Sequence, residues 1–184
     1  MAKIKSISIH GGHGLKNFQG AFGLVSESKV DREIKNLVKK KLKKKGIKVY
    51  DATVDSGTSQ TDVLKKICAK SNANNVDLTV SIHLNAGVDD LKGNGKTTGV
   101  ECLVTAITGV KDKVANGICK NIAALGFKNR GVKVRDNLYF LNHTKAPAIL
   151  IEAFFCDDAD DVKLYKKKKN ELADAIVNAI VSYK

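Results

Sequence analysis

The chain has 184 residues, and its 32 lysines and arginines against 19 aspartates and glutamates give a formal net charge of +13. This length is typical of one domain with a hydrophobic core, and a hydrophobic content of 43% with 28% charged residues excludes a disordered chain. No apolar stretch is long enough for a membrane span, and the composition also excludes collagen, a coiled coil and a disulfide-stabilised miniprotein.

Strand and helix patterns alternate from one end of the chain to the other. Residues 4–10 alternate apolar and polar side chains as a half-buried strand does, whereas residues 28–45 place apolar side chains on one helical stripe, with Gly46 at the C-cap position. In chain order, the patterns predict a strand at 4–10, a helix at 28–45, a strand at 47–54, a helix at 60–73, strands at 77–86 and 99–107, a helix at 110–125, a short strand pair at 131–141, a strand at 148–155 and a helix at about 159–183. This alternation predicts an α/β fold of three layers, in which a twisted, largely parallel or mixed sheet is flanked by helices.

Two histidines stand near the ends of predicted strands, where the functional sites of α/β sheets gather. His13 follows the first strand in the loop HGGHG, which contains neither of the glycine motifs that bind phosphate. His83 belongs to the strand DLTVSIHLNA, whose polar face carries Thr79, Ser81, His83 and Asn85. Either histidine by itself is as well explained by a surface loop or a hydrogen-bonded strand position as by a ligand.

Glu152 lies in ILIEAFF, the most apolar segment of the chain. An uncompensated carboxylate costs several kcal/mol in such surroundings. Glu152 therefore either faces outward or pairs with a lysine, or it is a functional carboxylate in a cleft.

These residues together form a set that could hold a catalytic zinc ion. Two histidines and one glutamate are known ligands of catalytic zinc, and they leave one tetrahedral position for water. Glu27, just before the first predicted helix, is a second glutamate in addition to Glu152. With two glutamates, one can complete the ligand set and the other can serve as the base. Spacing alone leaves this hypothesis open, because the gaps match no short zinc motif.

The cysteines and the lysines suggest where the chain is made and what attracts it. Cys68, Cys102, Cys119 and Cys156 form no CxxC pair, and we expect buried free thiols and synthesis in the reducing cytoplasm. The N-terminal sequence lacks the apolar region of a signal peptide, which gives the same expectation. The lysine runs at 39–48 and 166–169 either provide solubility or attract an anionic partner.

Four segments resemble the zinc-dependent N-acetylmuramoyl-L-alanine amidases, most closely the catalytic domains of phage and prophage endolysins of Gram-positive, including clostridial, hosts. In the order of that family, they are ISIHGGHG, GLVSESKVDREI, VSIHLNAG and APAILIEAFFCDDADD. TTGVECLV and NRGVKVRDNLYFLNHTKAPA agree more weakly. The resemblance covers essentially the whole chain, and SIHLNA and LIEAFF are its specific motifs.

The resemblance implies a role for each candidate site residue. His13, Glu27 and His83 match the ligands of one Zn²⁺ per chain, and Glu152 matches the catalytic glutamate. Asp31 and Glu33 are rivals to Glu27, but they fall inside the predicted first helix. Asn85 and His143 are candidates for orienting the substrate. His10 stands where many relatives have an acidic residue, so it is a supporting or substrate-facing group or a solvated loop residue, and we favour the last.

By resemblance, the chain cleaves the amide bond between N-acetylmuramic acid and L-alanine in peptidoglycan and thereby lyses the cell wall. We expect residues 1–184 to be one catalytic domain without a wall-binding domain, monomeric, made in the cytoplasm and acting on the wall after release. Its lysines would attract anionic wall polymers, whereas an aromatic content of 5% without tryptophan disfavours nucleic acid. A zinc carboxypeptidase acting on stem peptides and a basic, non-catalytic binder of wall polymer or nucleic acid remain alternatives.

Overall fold

A computed structural model describes residues 3–183 and shows a six-stranded mixed sheet between two layers of helices. The strands are β1 (Ser6–Gly11), β2 (Lys48–Asp51), β3 (Leu78–Asn85), β4 (Val100–Val104), β5 (Asn129–Val134) and β6 (Ala148–Phe155). The helices are α1 (Glu27–Lys44), α2 (Gln60–Asn72), α3 (Gly109–Ala123), α4 (Tyr139–His143) and α5 (Ala159–Val181). The predicted three-layer α/β fold is confirmed.

The strand order is β2-β1-β3-β6-β4-β5. The first four strands in this order are parallel, β4 runs antiparallel to β6, and β5 is parallel to β4. The carboxyl ends of β1, β3 and β6 therefore lie side by side at one edge of the sheet. This edge positions the candidate site.

Apolar side chains form a separate core on each face of the sheet. The larger core joins α1, α3 and α5 to one face, and the smaller core joins α2 and α4 to the other. All four cysteines are buried free thiols, as predicted. None of the helices within residues 3–183 is long and apolar enough to cross a bilayer.

The predicted strand pair at 131–141 is wrong in its second half. β5 accounts for the first half, but Tyr139–His143 form the short helix α4. Phe140 and Leu141 are adjacent and both buried, which a strand with one buried face cannot achieve but a helix packed on α2 can. The Asn142 side chain also donates to the carbonyl of Leu138 at 3.2 Å, which favours the helical turn.

Smaller differences concern the ends of predicted elements. Glu27 is the first residue of α1 rather than the residue before it, and Lys45 is the C-cap, with Gly46 following at a φ of 77°. β2 ends at Asp51, whose carboxylate accepts the backbone N–H of Thr53 at 3.1 Å in a local turn.

Candidate functional site

Three side chains with metal-binding atoms meet at the carboxyl edge of the sheet. His13 lies in the loop after β1, Glu27 begins α1, and His83 lies near the end of β3. Because β1 and β3 are parallel neighbours, both histidines reach the same edge. The chain leaves β1 at this edge and enters α1 there, which brings Glu27 to the two histidines.

Gly12 allows the two histidines to approach each other. Its N–H donates to the carbonyl of Ile82 at 2.9 Å, which continues the pairing of β1 with β3 beyond the end of β1. A Cβ at position 12 would lie 1.9 Å from Nε2 of His83, so any other residue would displace that imidazole. Glycine before His13 is therefore a packing requirement of the site.

The candidate ligand atoms are close enough to share one ion. Glu27 Oε1 lies 3.2 Å from His13 Nε2 and 3.0 Å from His83 Nδ1. One ligand atom from each of the three residues falls within 4.8 Å of the others. Backbone N–H groups of Leu84 and Ala21 donate to the two Glu27 oxygens at 3.1 and 2.7 Å, which fixes the carboxylate in place.

The electrostatics of the cluster favour the protonation states that a metal requires. Burial alone would raise the pKa of Glu27, but hydrogen bonds from His13 and His83 outweigh it and hold that pKa well below its usual range. Burial also lowers the pKa of His83, so its imidazole is neutral at pH 7. An ionised carboxylate and a neutral imidazole are the forms that bind metals.

Glu152 lies beside this cluster on the same face of the sheet. It is the register partner of His83 across β3 and β6. Its Oε2 is buried without a hydrogen-bond partner among residues 3–183, and no lysine of that range pairs with it. Burial, aided by the negative charges of Glu27 and Glu101, raises the pKa of Glu152 to about 8. The outward-facing or lysine-paired interpretation is therefore wrong, and the carboxyl group is poised to exchange a proton near neutral pH.

The two alternatives to Glu27 as a ligand, Asp31 and Glu33, form ion pairs with other residues. Asp31 is fully buried beside Gly11 and pairs with its neighbour Arg32 at 3.1 Å. Glu33 pairs with Lys169 on α5 at 2.6 Å. Only Glu27 contacts both histidines.

His10 is not a solvated loop residue, so the interpretation favoured above is wrong. It lies in β1 with no exposed surface, and its ring packs edge-on against Phe140 with the centroids 4.6 Å apart. Burial lowers its pKa to about 3, so the ring stays neutral. The alternating pattern of β1 places it inward, whereas the adjacent glycines suggested a loop.

The two other candidate substrate residues differ in position. Asn85 ends β3 at the site edge and donates to Glu101 at 3.1 Å. His143 ends α4, where its ring stacks on Tyr139 with centroids 3.8 Å apart and its carbonyl accepts from Asn72 at the end of α2. The structure does not bring His143 to the candidate metal site of His13, Glu27 and His83, and its role in orienting substrate stays a prediction.

Two further residues at the site, Arg32 and Glu101, were not predicted from the sequence. The guanidinium of Arg32 donates to the carbonyl of His13 at 2.8 Å and to that of Ser28 at 2.9 Å, which ties the histidine loop to α1. Glu101 lies opposite Glu152 across β4 and β6 and is 6% exposed. A lone carboxylate in the apolar strand VECLV is the same signal that indicated Glu152, and it could have indicated Glu101 as well.

A second acidic cluster, in the turn before α5, has a structural explanation. Asp158 caps α5 by accepting the N–H groups of Asp160 and Asp161 at 2.9 and 3.0 Å. Asp160 in turn accepts the N–H groups of Asn94 and Gly95 at 2.9 and 2.7 Å. These carboxylates hold the loop after β3 against the start of α5.

Comparison with known proteins identifies relatives over the whole domain. A sequence profile described as N-acetylmuramoyl-L-alanine amidase matches residues 7–182. The endolysin of Bacillus phage SPP1 is 32% identical over 182 residues, which cover 96% of this chain and 65% of the endolysin. An uncharacterized protein of Clostridium perfringens is 31% identical over 179 residues, which cover 97% of this chain and 52% of that protein. The chain thus spans about half the length of that curated relative.

Solved structures show the same architecture. The catalytic domain of the CD27L endolysin targeting Clostridia difficile superposes with a TM-score of 0.84 at 30% identity, covering 98% of both chains. An N-acetylmuramoyl-L-alanine amidase from Clostridium difficile 630 superposes with a TM-score of 0.79 at 27% identity, covering 99% of this chain and 97% of that one.

Proposed function

The chain belongs to the N-acetylmuramoyl-L-alanine amidase family, and from this premise we propose that it hydrolyses the amide bond between N-acetylmuramic acid and L-alanine in the bacterial cell wall. The observation that carries the proposal is the convergence of His13, Glu27 and His83 beside Glu152 at one edge of the sheet. All four side chains come from one chain, so a monomer contains a complete site. Four free buried cysteines support synthesis in a reducing compartment before release to the wall.

We propose that His13, Glu27 and His83 hold one zinc ion. Two imidazoles and one carboxylate are a ligand set of catalytic zinc, and three protein ligands leave a position for water or substrate. Nδ1 of His13 is buried without a hydrogen-bond partner in residues 3–183. No hydrogen bond within this range holds a proton on Nδ1, so the ring can offer a nitrogen lone pair to an ion. A bound zinc ion would lower the pKa of a water molecule toward about 7 and polarise the scissile carbonyl.

The residues around this position divide the remaining work. Glu152 accepts the proton of the attacking water at its unpartnered Oε2 and delivers it to the nitrogen of L-alanine as the amide bond breaks. The raised pKa of Glu152 suits both steps, because a group that titrates near neutral pH can accept and return a proton. Arg32 and Gly12 maintain the position of His13 against His83.

Product analysis tests the proposed reaction. Zinc-loaded protein incubated with muramoyl-peptides is expected to release peptides with a free L-alanine amino group, and mass spectrometry identifies the new terminus. Loss of C-terminal residues instead would indicate the carboxypeptidase alternative. Tight binding to walls without any cleavage by zinc-loaded protein would favour the non-catalytic alternative.

We propose anionic wall polymers as a further partner of the lysine-rich helices. Lys40, Lys43 and Lys44 near the end of α1 and Lys166 and Lys167 on α5 are exposed on the layer of α1, α3 and α5. The ion pairs Lys41–Asp174 and Lys169–Glu33 join α1 to α5, and we therefore expect the lysine runs of the two helices to form one positive surface.

This attraction predicts a salt effect that depends on the substrate. Lysis of whole walls should fall steeply as salt is added, because screening weakens long-range attraction between exposed charges. Cleavage of a small soluble muramoyl-peptide should change little over the same range. Turbidity loss and peptide release measure the two rates, and flat wall lysis across salt would contradict the role of the lysines.

A further inference from the structure

Glu101 anchors a group of polar side chains next to the proposed catalytic glutamate. It is the register partner of Glu152 across the antiparallel pair of β4 and β6, so both carboxylates lie on one face of the sheet. Its Oε2 accepts from Arg130 Nε at 2.7 Å and from Lys133 Nζ at 2.5 Å, both on β5. Asn85 donates to Oε1 at 3.1 Å. One nearly buried carboxylate therefore holds two cations at the flank of the site.

The contacts of Arg130 leave its two terminal amino groups, Nη1 and Nη2, available to bind a ligand. Only Nε contacts Glu101, and the guanidinium carbon lies 4.9 Å from the centre of the Phe155 ring. Its Nη1 and Nη2 have no hydrogen-bond partner within residues 3–183, and the side chain keeps 27% of its surface exposed. A guanidinium fixed at one edge and stacked on a ring loses little further freedom when its two terminal amino groups bind a ligand.

The Arg130 guanidinium lies near the residue that is proposed to act on the substrate. Glu101 is close enough to Glu152 for its negative charge to contribute to the pKa of that residue. Phe155 lies at the carboxyl end of β6, three positions after Glu152. Arg130, which contacts both Glu101 and Phe155, therefore lies on the side of Glu152 that faces β5, next to the proposed site.

We propose that Arg130 binds a carboxylate of the stem peptide and thereby determines which peptidoglycan the enzyme prefers. A planar fork of two N–H donors matches a carboxylate in a bidentate arrangement. In the substrate of the proposed reaction, carboxylates belong to the peptide, because the lactyl carboxyl of the sugar is already in the scissile amide. This inference rests on the proposed function and adds a specificity-determining residue to it.

Matched substrates test the proposal. One pair of muramoyl-tripeptides differs only in a carboxylate or a carboxamide on the residue after L-alanine, and a second pair differs in the same way on the C-terminal residue. Zinc-loaded wild-type protein is expected to favour the carboxylate member of one pair by about 10- to 100-fold in kcat/KM, mostly through KM. The pair that shows this preference identifies which carboxylate Arg130 binds.

Variants separate recognition from a structural role. Arg130→Gln should abolish the preference by lowering kcat/KM far more for the carboxylate peptide than for the carboxamide peptide, and Arg130→Lys should retain part of the preference as a point charge. Lys120→Gln, which removes one exposed charge from α3, is the matched control and should keep the full preference. An equal loss on both members of a pair in Arg130→Gln, or no preference in the wild type, would overturn the proposal.

A binding measurement keeps this test independent of the proposed reaction. The same peptides are titrated into zinc-loaded Glu152→Gln protein by calorimetry, with and without Arg130→Gln. If the carboxylate peptide binds more tightly than the carboxamide peptide, and if this difference disappears in Arg130→Gln, the inference is supported. It is supported even if the wild type cleaves neither peptide, because a lack of cleavage would count against the amidase reaction and not against the binding site. Equal affinities for carboxylate and carboxamide would overturn it.

Discussion

Glu152→Gln is expected to lower the rate of amide cleavage by about 10²- to 10⁴-fold while the protein still folds and still binds one zinc ion. Glutamine has nearly the same shape as glutamate but cannot accept the proton of the attacking water. Because Glu152 is not among the three proposed zinc ligands, metal affinity should persist. Peptide release from a soluble muramoyl-peptide measures the rate, and elemental analysis measures the zinc.

Glu171→Gln is the matched control, because this exposed glutamate of α5 lies on the helical surface away from the site. It should retain full activity. Near-normal turnover by zinc-loaded Glu152→Gln protein would remove Glu152 from the proposed mechanism.

The same substitution should reveal the buried carboxyl group through the pH dependence of stability in metal-free protein. The pKa of Glu152 is raised from an ordinary value of 4.5 to about 8 in the fold. Between these values the folded protein keeps a proton that the unfolded chain has lost, so this group makes the free energy of unfolding fall as pH rises. Glutamine carries no such proton.

Thermal unfolding with a chelator present should therefore show a Tm advantage of Glu152→Gln over the wild type that grows between about pH 4.5 and 8. Asp31, whose pKa burial raises to about 7, contributes similarly to both proteins and largely cancels in the difference. A difference that stays constant over this range would contradict the burial of Glu152.

His83→Ala is expected to weaken zinc binding strongly and to abolish activity. It removes one of three ligands and leaves Glu27 without one of its two histidine partners. We expect the zinc affinity to fall by at least about 100-fold, since even outer partners of a metal site contribute 10- to 100-fold. Zinc at 1,000 times its Kd should stabilise the wild type by about 4 kcal/mol against unfolding and should stabilise His83→Ala hardly at all.

His143→Ala is the matched histidine control for this prediction. His143 ends α4 and contacts Tyr139 and Asn72 rather than the cluster, so this variant should keep one zinc per chain and the zinc-dependent rise in Tm. A His83→Ala protein that is folded without metal and still binds one zinc tightly would contradict the proposed ligand set.

Local patterns predict much of this architecture because they depend on neighbouring residues. The alternation in SIHLNA fixes which face of β3 carries His83, and the apolar run around Glu152 indicates a central strand. Parallel neighbouring strands then place both residues at one edge. The meeting of His13 and His83 could therefore be anticipated from strand ends and residue types, and the choice of Glu27 over Asp31 and Glu33 as the candidate ligand agrees with the contacts of the fold.

Other features depend on contacts between distant segments, which a local pattern does not contain. His10 is buried because Phe140 of α4 covers it, and α4 is the element that was predicted as a strand. The arrangement of Arg130 on Glu101 and Phe155 joins three strands and depends on the register of β4 with both neighbours. The sequence contains these residues, but it does not indicate that they are in contact.

The most direct test of the account locates the metal itself. Anomalous diffraction at the zinc absorption edge, recorded from crystals of the zinc-loaded protein, should give one peak within bonding distance of His13, Glu27 and His83, with Glu152 beside it. A single peak between Asp90, in the loop after β3, and Asp158 and Asp160, in the turn before α5, or no peak among the two histidines and Glu27, would contradict it.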